Sequence, residues 1–350
     1  MKTLAKLMAG MLLLLWTTLA LAREELHLFI WSEYMDEPKM MKDFEAATGI
    51  KLLIDHYESN EDMIAKLQAG GVRQYDIIVP SDFVMASLIN LKLIQKLDHG
   101  KIPNIDNLSQ KFREAEFDPG NAYSVGYQWG TVGLMYNRAF LKDSDVASWS
   151  ILFDPARKPG PFYLIDSVRE MMGTTLLYLG HDFNSTDPEE LKEAVDLLVA
   201  TKKRPDCLGF KGGVGGKNDV ISGVARAAVV YNGDAIQTVS EQPDKFGFTV
   251  PKEGGVIWID SMCIPAEAPN VDAAYKFINW ILDPRIGAEL SNYNHYATPN
   301  EAAKPFLSKE DLENPGVWPP AEIMKTLFFA KDLGDKTKMI DQAWTMVKSN

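Results

Sequence analysis

From Glu25 onward, short apolar runs alternate with longer amphipathic ones. Residues 26–31 (LHLFIW) predict a strand, 38–47 a helix that Gly49 stops, and 50–57 a second strand. A helix over 60–69 closed by Gly70-Gly71, a strand over 75–79 (YDIIV) and a helix over 83–91 follow. Farther along, 162–165, 227–231, 246–250 and 256–259 predict strands, and 188–200 and 271–282 predict helices. Two stretches, 154–161 and 212–216, are rich enough in Pro and Gly to predict loops. Strand and helix in alternation imply an α/β fold whose mainly parallel sheets carry helices on both faces.

The first 22 residues break this pattern. Lys2 and Lys6 give a positive start, an apolar run extends from Leu7, and Ala20-Leu21-Ala22 supplies small residues where a signal peptidase cuts. The run is shorter than the roughly 20 residues of a bilayer-spanning helix, so a cleaved signal peptide over 1–22 is expected rather than an anchor. No Cys follows the cut to accept a lipid. What remains is too long for one small core and fits two lobes of roughly 100–200 residues each.

Charge narrows the partners. The 350-residue chain has a formal net charge of −12, and the basic start lies in the expected signal. Such a protein is a poor partner for nucleic acid or an anionic membrane surface and a suitable one for a cation. Cys207 and Cys263 are expected as two separate buried thiols rather than a bridge, since no framework of several cysteines is present.

In open parallel sheets, ligands sit beyond the carboxyl ends of the strands, so those ends are the places to look for chemistry. The first strand ends in Trp31-Ser32-Glu33-Tyr34 and the third in Pro80-Ser81-Asp82-Phe83. Residues 162–165 lead into Asp166-Ser167-Val168-Arg169-Glu170, and 227–230 into Tyr231-Asn232-Gly233-Asp234. The strand over 256–259 contains Trp258 and leads into Asp260-Ser261. Aromatics and carboxylates recur together at these ends. A protonated amine leaving water needs compensating negative charge, and an aromatic face over it adds about 0.5–2 kcal/mol. An anion would need cations that these ends lack. Each residue alone also has a plainer reading, as core aromatic, turn or helix cap. Asp82 fits a cap before 83–91 and is set outside the site, and Arg169 is expected to neutralise Glu170 or Asp166.

Taken in order, these segments resemble the periplasmic spermidine/putrescine-binding proteins of ATP-driven importers, over nearly the whole chain after the signal. The resemblance also rests on Tyr57-Glu58-Ser59-Asn60-Glu61, Tyr75-Asp76-Ile77-Ile78-Val79-Pro80-Ser81, Trp129-Gly130, Pro251-Lys252-Glu253-Gly254-Gly255 and Tyr296-Ala297-Thr298-Pro299-Asn300. It implies an aromatic box of Trp31, Tyr34, Phe83, Tyr231, Trp258 and Tyr296. It implies that Asp260 and Glu33 meet one ammonium and Glu170 and Asp234 the far end, with Ser32 and Ser81 as polar contacts. It implies a two-lobe periplasmic-binding-protein fold of type II: 25–134 with 261–300 as one lobe, 135–260 with 301–350 as the other, and the ligand between them. A membrane permease would be the partner, the protein would be a monomer, and no cofactor or metal would be needed. Ser167 stands where spermidine-binding members carry an acid, Ala330 where they carry a Gln, and Tyr231 where a Trp is usual. Asp234 stands where the putrescine-preferring type has an acid, so the resemblance leans toward putrescine over spermidine.

Two other classes fit less well. Five scattered histidines form no metal motif, Gly216-Lys217-Asn218 is no phosphate-binding loop, and no nucleophile elbow is present. Paired acids acting as a glycoside hydrolase are therefore disfavoured. A sensory binding protein serving a chemoreceptor or kinase would use the same pocket and differ only in its partner.

Overall fold

The computed structural model describes residues 24–32 and 34–350; the expected signal peptide and Glu33 lie outside the described residues. Strand β1 (Glu25–Trp31) sits between β2 (Lys51–Tyr57) and β3 (Ile77–Ile78), parallel to both, with Leu28 beside Ile77 and Phe29 beside Ile78. Its side chains alternate between two buried faces. Leu26, Leu28 and Ile30 join a core with Phe44 of α1 (Glu37–Thr48) and Phe277 of α8 (Val271–Ile281). Phe29 points the other way, toward Met63 and Leu67 of α2 (Asn60–Gln68) and Leu88 of α3 (Met85–Asn90). Both faces are thus covered, which is why the β1 run is nearly continuous in apolar residues. Asp36 caps α1 and Ser59 caps α2 by accepting from Lys39 N and Asp62 N, each cap worth about 1 kcal/mol.

A second group of strands is parallel as well: β5 (Phe162–Ile165) lies between β6 (Cys207–Lys211) and β7 (Ala227–Tyr231). Helices α4 (Val168–Leu179), α5 (Pro188–Lys202), α6 (Gly213–Ile221) and α7 (Asn232–Glu241) accompany it, and α10 (Thr337–Ser349) adds Ile340, Ala343 and Val347 to the core that Leu191 and Leu198 of α5 share. The stretch read as a loop over 212–216 is instead the first part of α6. Its glycines lower helix propensity, but Gly216 lies close against Ala228 and Val230 of β7, so packing wins.

Two long antiparallel strands join the groups. β4 (Ser124–Asn137) pairs along its first part with β9 (Gly255–Cys263) and along its second with β7 and with β8 (Phe246–Thr249). β9 in turn reaches β3 through Ile78 and Cys263 and takes β10 (Leu327–Phe328) at its start. The expected strand over 256–259 therefore continues to Cys263, which places Asp260 inside a strand rather than after one. Cys263 is buried, whereas Cys207 is only half-buried, contrary to expectation, and both are free thiols.

Candidate functional site

The site is built where β9 runs antiparallel beside β4. Trp258 and Asp260, two apart on β9, share one face by the period of two in a strand; opposite them on β4 lie Gly130 and Gln128. A Cβ at Gly130 would stand 2.6 Å from the Trp258 ring, so glycine there lets the indole lie flat across the neighbouring strand. Tyr296 arrives from outside the sheet. α9 (Pro284–Asn294) ends at His295, whose left-handed backbone (φ 57°) turns the chain. Trp129 then exchanges backbone hydrogen bonds of 2.9 and 3.0 Å with Ala297, fixing Tyr296 against Trp258 with ring centroids 5.0 Å apart at 75°.

Asp260 is the centre. The Tyr34 hydroxyl donates to its Oδ2 at 2.6 Å, and Ser81 is bridged to it across the strands and adds a hydroxyl hydrogen bond. Its other oxygen, Oδ1, is buried with no hydrogen-bond partner among the described residues. Burial pushes this carboxyl up to about 7 despite the hydrogen bonds from Tyr34 and Ser81, and the charge of Glu170 pushes the same way. Burial likewise raises Glu170, which the Ser167 hydroxyl partly offsets by donating to it. At the far side, Tyr296 donates to Asp234 at 3.2 Å, and Asp234 occupies the first turn of α7, where the helix dipole favours a carboxylate. Tyr231 stands edge-on to Trp258 at 6.0 Å. Burial raises its hydroxyl most, and the charges of Glu170, Asp260 and Asp234 all add to the rise, which places the ring among the three acids. The Nε1 of Trp258 is also buried without a hydrogen-bond partner among the described residues.

Most residues expected from the sequence are thus together. Trp31 and Phe83 are half-buried at the border; the Trp31 indole donates to Val79 O at 3.0 Å and packs on Tyr57. Ser32 is exposed on the turn after β1 and is not drawn into the cluster. The charge of Arg169 lowers the Glu170 carboxyl, as expected, but its hydrogen bonds go to Lys331 O at 2.9 Å and Asn184 Oδ1 at 3.0 Å, while Asp166 pairs with Lys348 at 2.9 Å.

Sequence reasoning missed four residues. Asp82 is no helix cap: it opens a 3₁₀ turn, takes a hydrogen bond from Phe83 N, and leaves Oδ2 buried without a hydrogen-bond partner among the described residues. Burial, then the charge of Asp260, holds its carboxyl well above the usual range. Its place beside Ser81 was the available signal. Tyr127 packs on Tyr34 at 5.4 Å. Asn294 and Gln128 exchange hydrogen bonds at 2.8–2.9 Å, and Asn294 also holds Tyr34 O and Tyr296 N; no local pattern links those positions. This arrangement can hold positive charge between aromatic walls. It has no group of three potential metal ligands among the described residues.

Comparison with known proteins agrees in kind. Residues 39–317 match the family described as bacterial extracellular solute-binding protein. A putrescine-binding periplasmic protein of Pseudomonas aeruginosa is 34% identical, covering 99% of this chain and 96% of its own length. One of Escherichia coli is 35% identical, covering 99% and 98%. A structure titled as a putative spermidine/putrescine ABC transporter from Listeria monocytogenes superposes with a TM-score of 0.84 at 35% identity, over 93% of this chain and 98% of that one. With relatives a third identical across nearly its whole length, this chain belongs to the bacterial extracellular solute-binding proteins.

Proposed function

We propose that this protein captures a small polyamine in the crevice between two lobes and delivers it to the permease of an ATP-driven importer, acting in the periplasm as a monomer after loss of its signal peptide. The observation that carries the reading is Asp260: a buried carboxylate with one oxygen held by Tyr34 and the other unpartnered, walled by Trp258, Tyr34 and Tyr296. An ammonium there restores the charge balance whose lack raises the carboxyl. Asp234 and Glu170 would serve a second ammonium, which favours a diamine of putrescine type. Glu33 would join Asp260. The relatives named above, two putrescine-binding proteins and a structure titled as a putative spermidine/putrescine transporter, support the same substrate class. The protein binds and releases its ligand unchanged.

Closure follows from the same contacts. The lobes are proposed as 25–134 with 261–300 and 135–260 with 301–350, joined through β4 and β9. A ligand touching both favours the closed form by its differential contact energy. Calorimetry of the mature protein with putrescine, cadaverine, spermidine and spermine tests the reading. Micromolar or tighter binding of at least one is expected, and no heat from any of them at neutral pH refutes it.

A further inference from the structure

Beside the far end of the crevice lies a lysine that the binding reading leaves unused. Lys217 is only 8% exposed, and buried lysines are retained where a counter-charge is near. It lies on α6, four residues after Gly213, and both are buried on the same face of that helix. A Cβ on Gly213 would stand 2.8 Å from the Tyr231 ring and 3.3 Å from Asp234 Oδ2, so the Tyr231 ring and the Asp234 carboxylate both lie close against this part of α6. Long helical side chains lean back over the residue four positions earlier. For Lys217 that residue is the one without a side chain to block the way.

We propose that Lys217 sets the specificity of the crevice: its ammonium folds back over Gly213 onto the Asp234 carboxylate and withdraws negative charge from the end that a second ammonium of the ligand would meet. The inference rests on the polyamine reading. It makes the two ends of the crevice unequal. The first ammonium goes to Asp260 without a rival, whereas the second shares Asp234 with a resident cation.

The test has one arm without ligand and one with it. In the ligand-free protein, Lys217→Met and Asp234→Asn should each lower the melting temperature, and the double variant should melt no lower than the worse single one, because neither charge is then left buried alone. Additive losses would overturn the pairing. In calorimetry, Lys217→Met should bind putrescine at least fivefold more tightly than wild type, with n-butylamine unchanged. Asp234→Asn should bind putrescine at least tenfold more weakly, since Lys217 then faces the ligand uncompensated. Unchanged or weaker putrescine binding by a folded Lys217→Met overturns the specificity role even where the pairing holds. Lys217→Gln keeps length and polarity without charge and should give the same order should the methionine variant not fold. Failure of wild type and all variants to bind any amine would instead overturn the polyamine reading and the specificity role with it, while the melting arm still decides the pairing.

Discussion

A carboxyl raised to about 7 makes Asp260 sensitive to conditions in which ordinary aspartates are not. Ionised, it attracts an ammonium; protonated, it offers no charge. Polyamine affinity should therefore be flat between about pH 8 and 9, where the amines stay protonated, and fall by about tenfold per pH unit below pH 6, as titration calorimetry across that range would read. A pH-independent affinity would displace Asp260 from the amine. Stability carries the opposite sign. The folded state holds this proton more firmly than the unfolded chain, so the contribution of Asp260 to stability is greatest in acid and is lost as pH rises from about 4 to 7. Asp260→Asn should consequently raise the melting temperature of the ligand-free protein at pH 8, by about 1–4 kcal/mol in stability, while costing at least tenfold in affinity. Loss of both stability and binding would mean that the carboxylate serves the fold rather than the ligand.

Among the elements, the tight contact between helix α7 and the return segment decides where Tyr296 stands. A Cβ on Gly233 would lie 2.5 Å from the Tyr296 ring, so Gly233→Ala must push ring or helix aside, at about 1–3 kcal/mol of stability. Binding should weaken as the Tyr296–Asp234 contact opens, and an alanine variant with wild-type affinity would show that the ring is not needed where it stands. These elements also show how far the chain was legible. β1 was readable as a short apolar run of strand length, and α1 and α2 because their apolar period matches the faces they bury and their ends carry caps or glycine. β4 was not: buried throughout, it shows no alternation, and Gly126, Gly130 and Gly133 lower its strand propensity while making room for side chains packed across it. Helix α6 was hidden by its glycines for a related reason. Trp258 and Asp260 were visible as an aromatic beside an acid near a strand end. Tyr296 followed only from the family resemblance, since a turn at His295 and a bridge to Trp129 bring it in from a segment with no strand period. Asp82 was misread because an acid before a helix looks the same whether it caps the helix or faces a crevice.

For the molecule as a whole, a ligand that bridges both lobes stabilises the folded state by mass action, by about 2.7 kcal/mol at a hundred times its dissociation constant. Melting curves at rising putrescine concentration should shift upward continuously. A melting temperature indifferent to every polyamine would contradict capture between the lobes. The pairing of β9 with β3 has a further consequence for how the chain comes to be folded. The sheet begun by β1, β2 and β3 finds its neighbour β9 only after most of the polypeptide has been synthesised. Contacts between residues so distant in sequence form slowly. Folding of the first third of the chain should therefore wait on β9, because its sheet keeps an incomplete edge until residues beyond Gly255 are available.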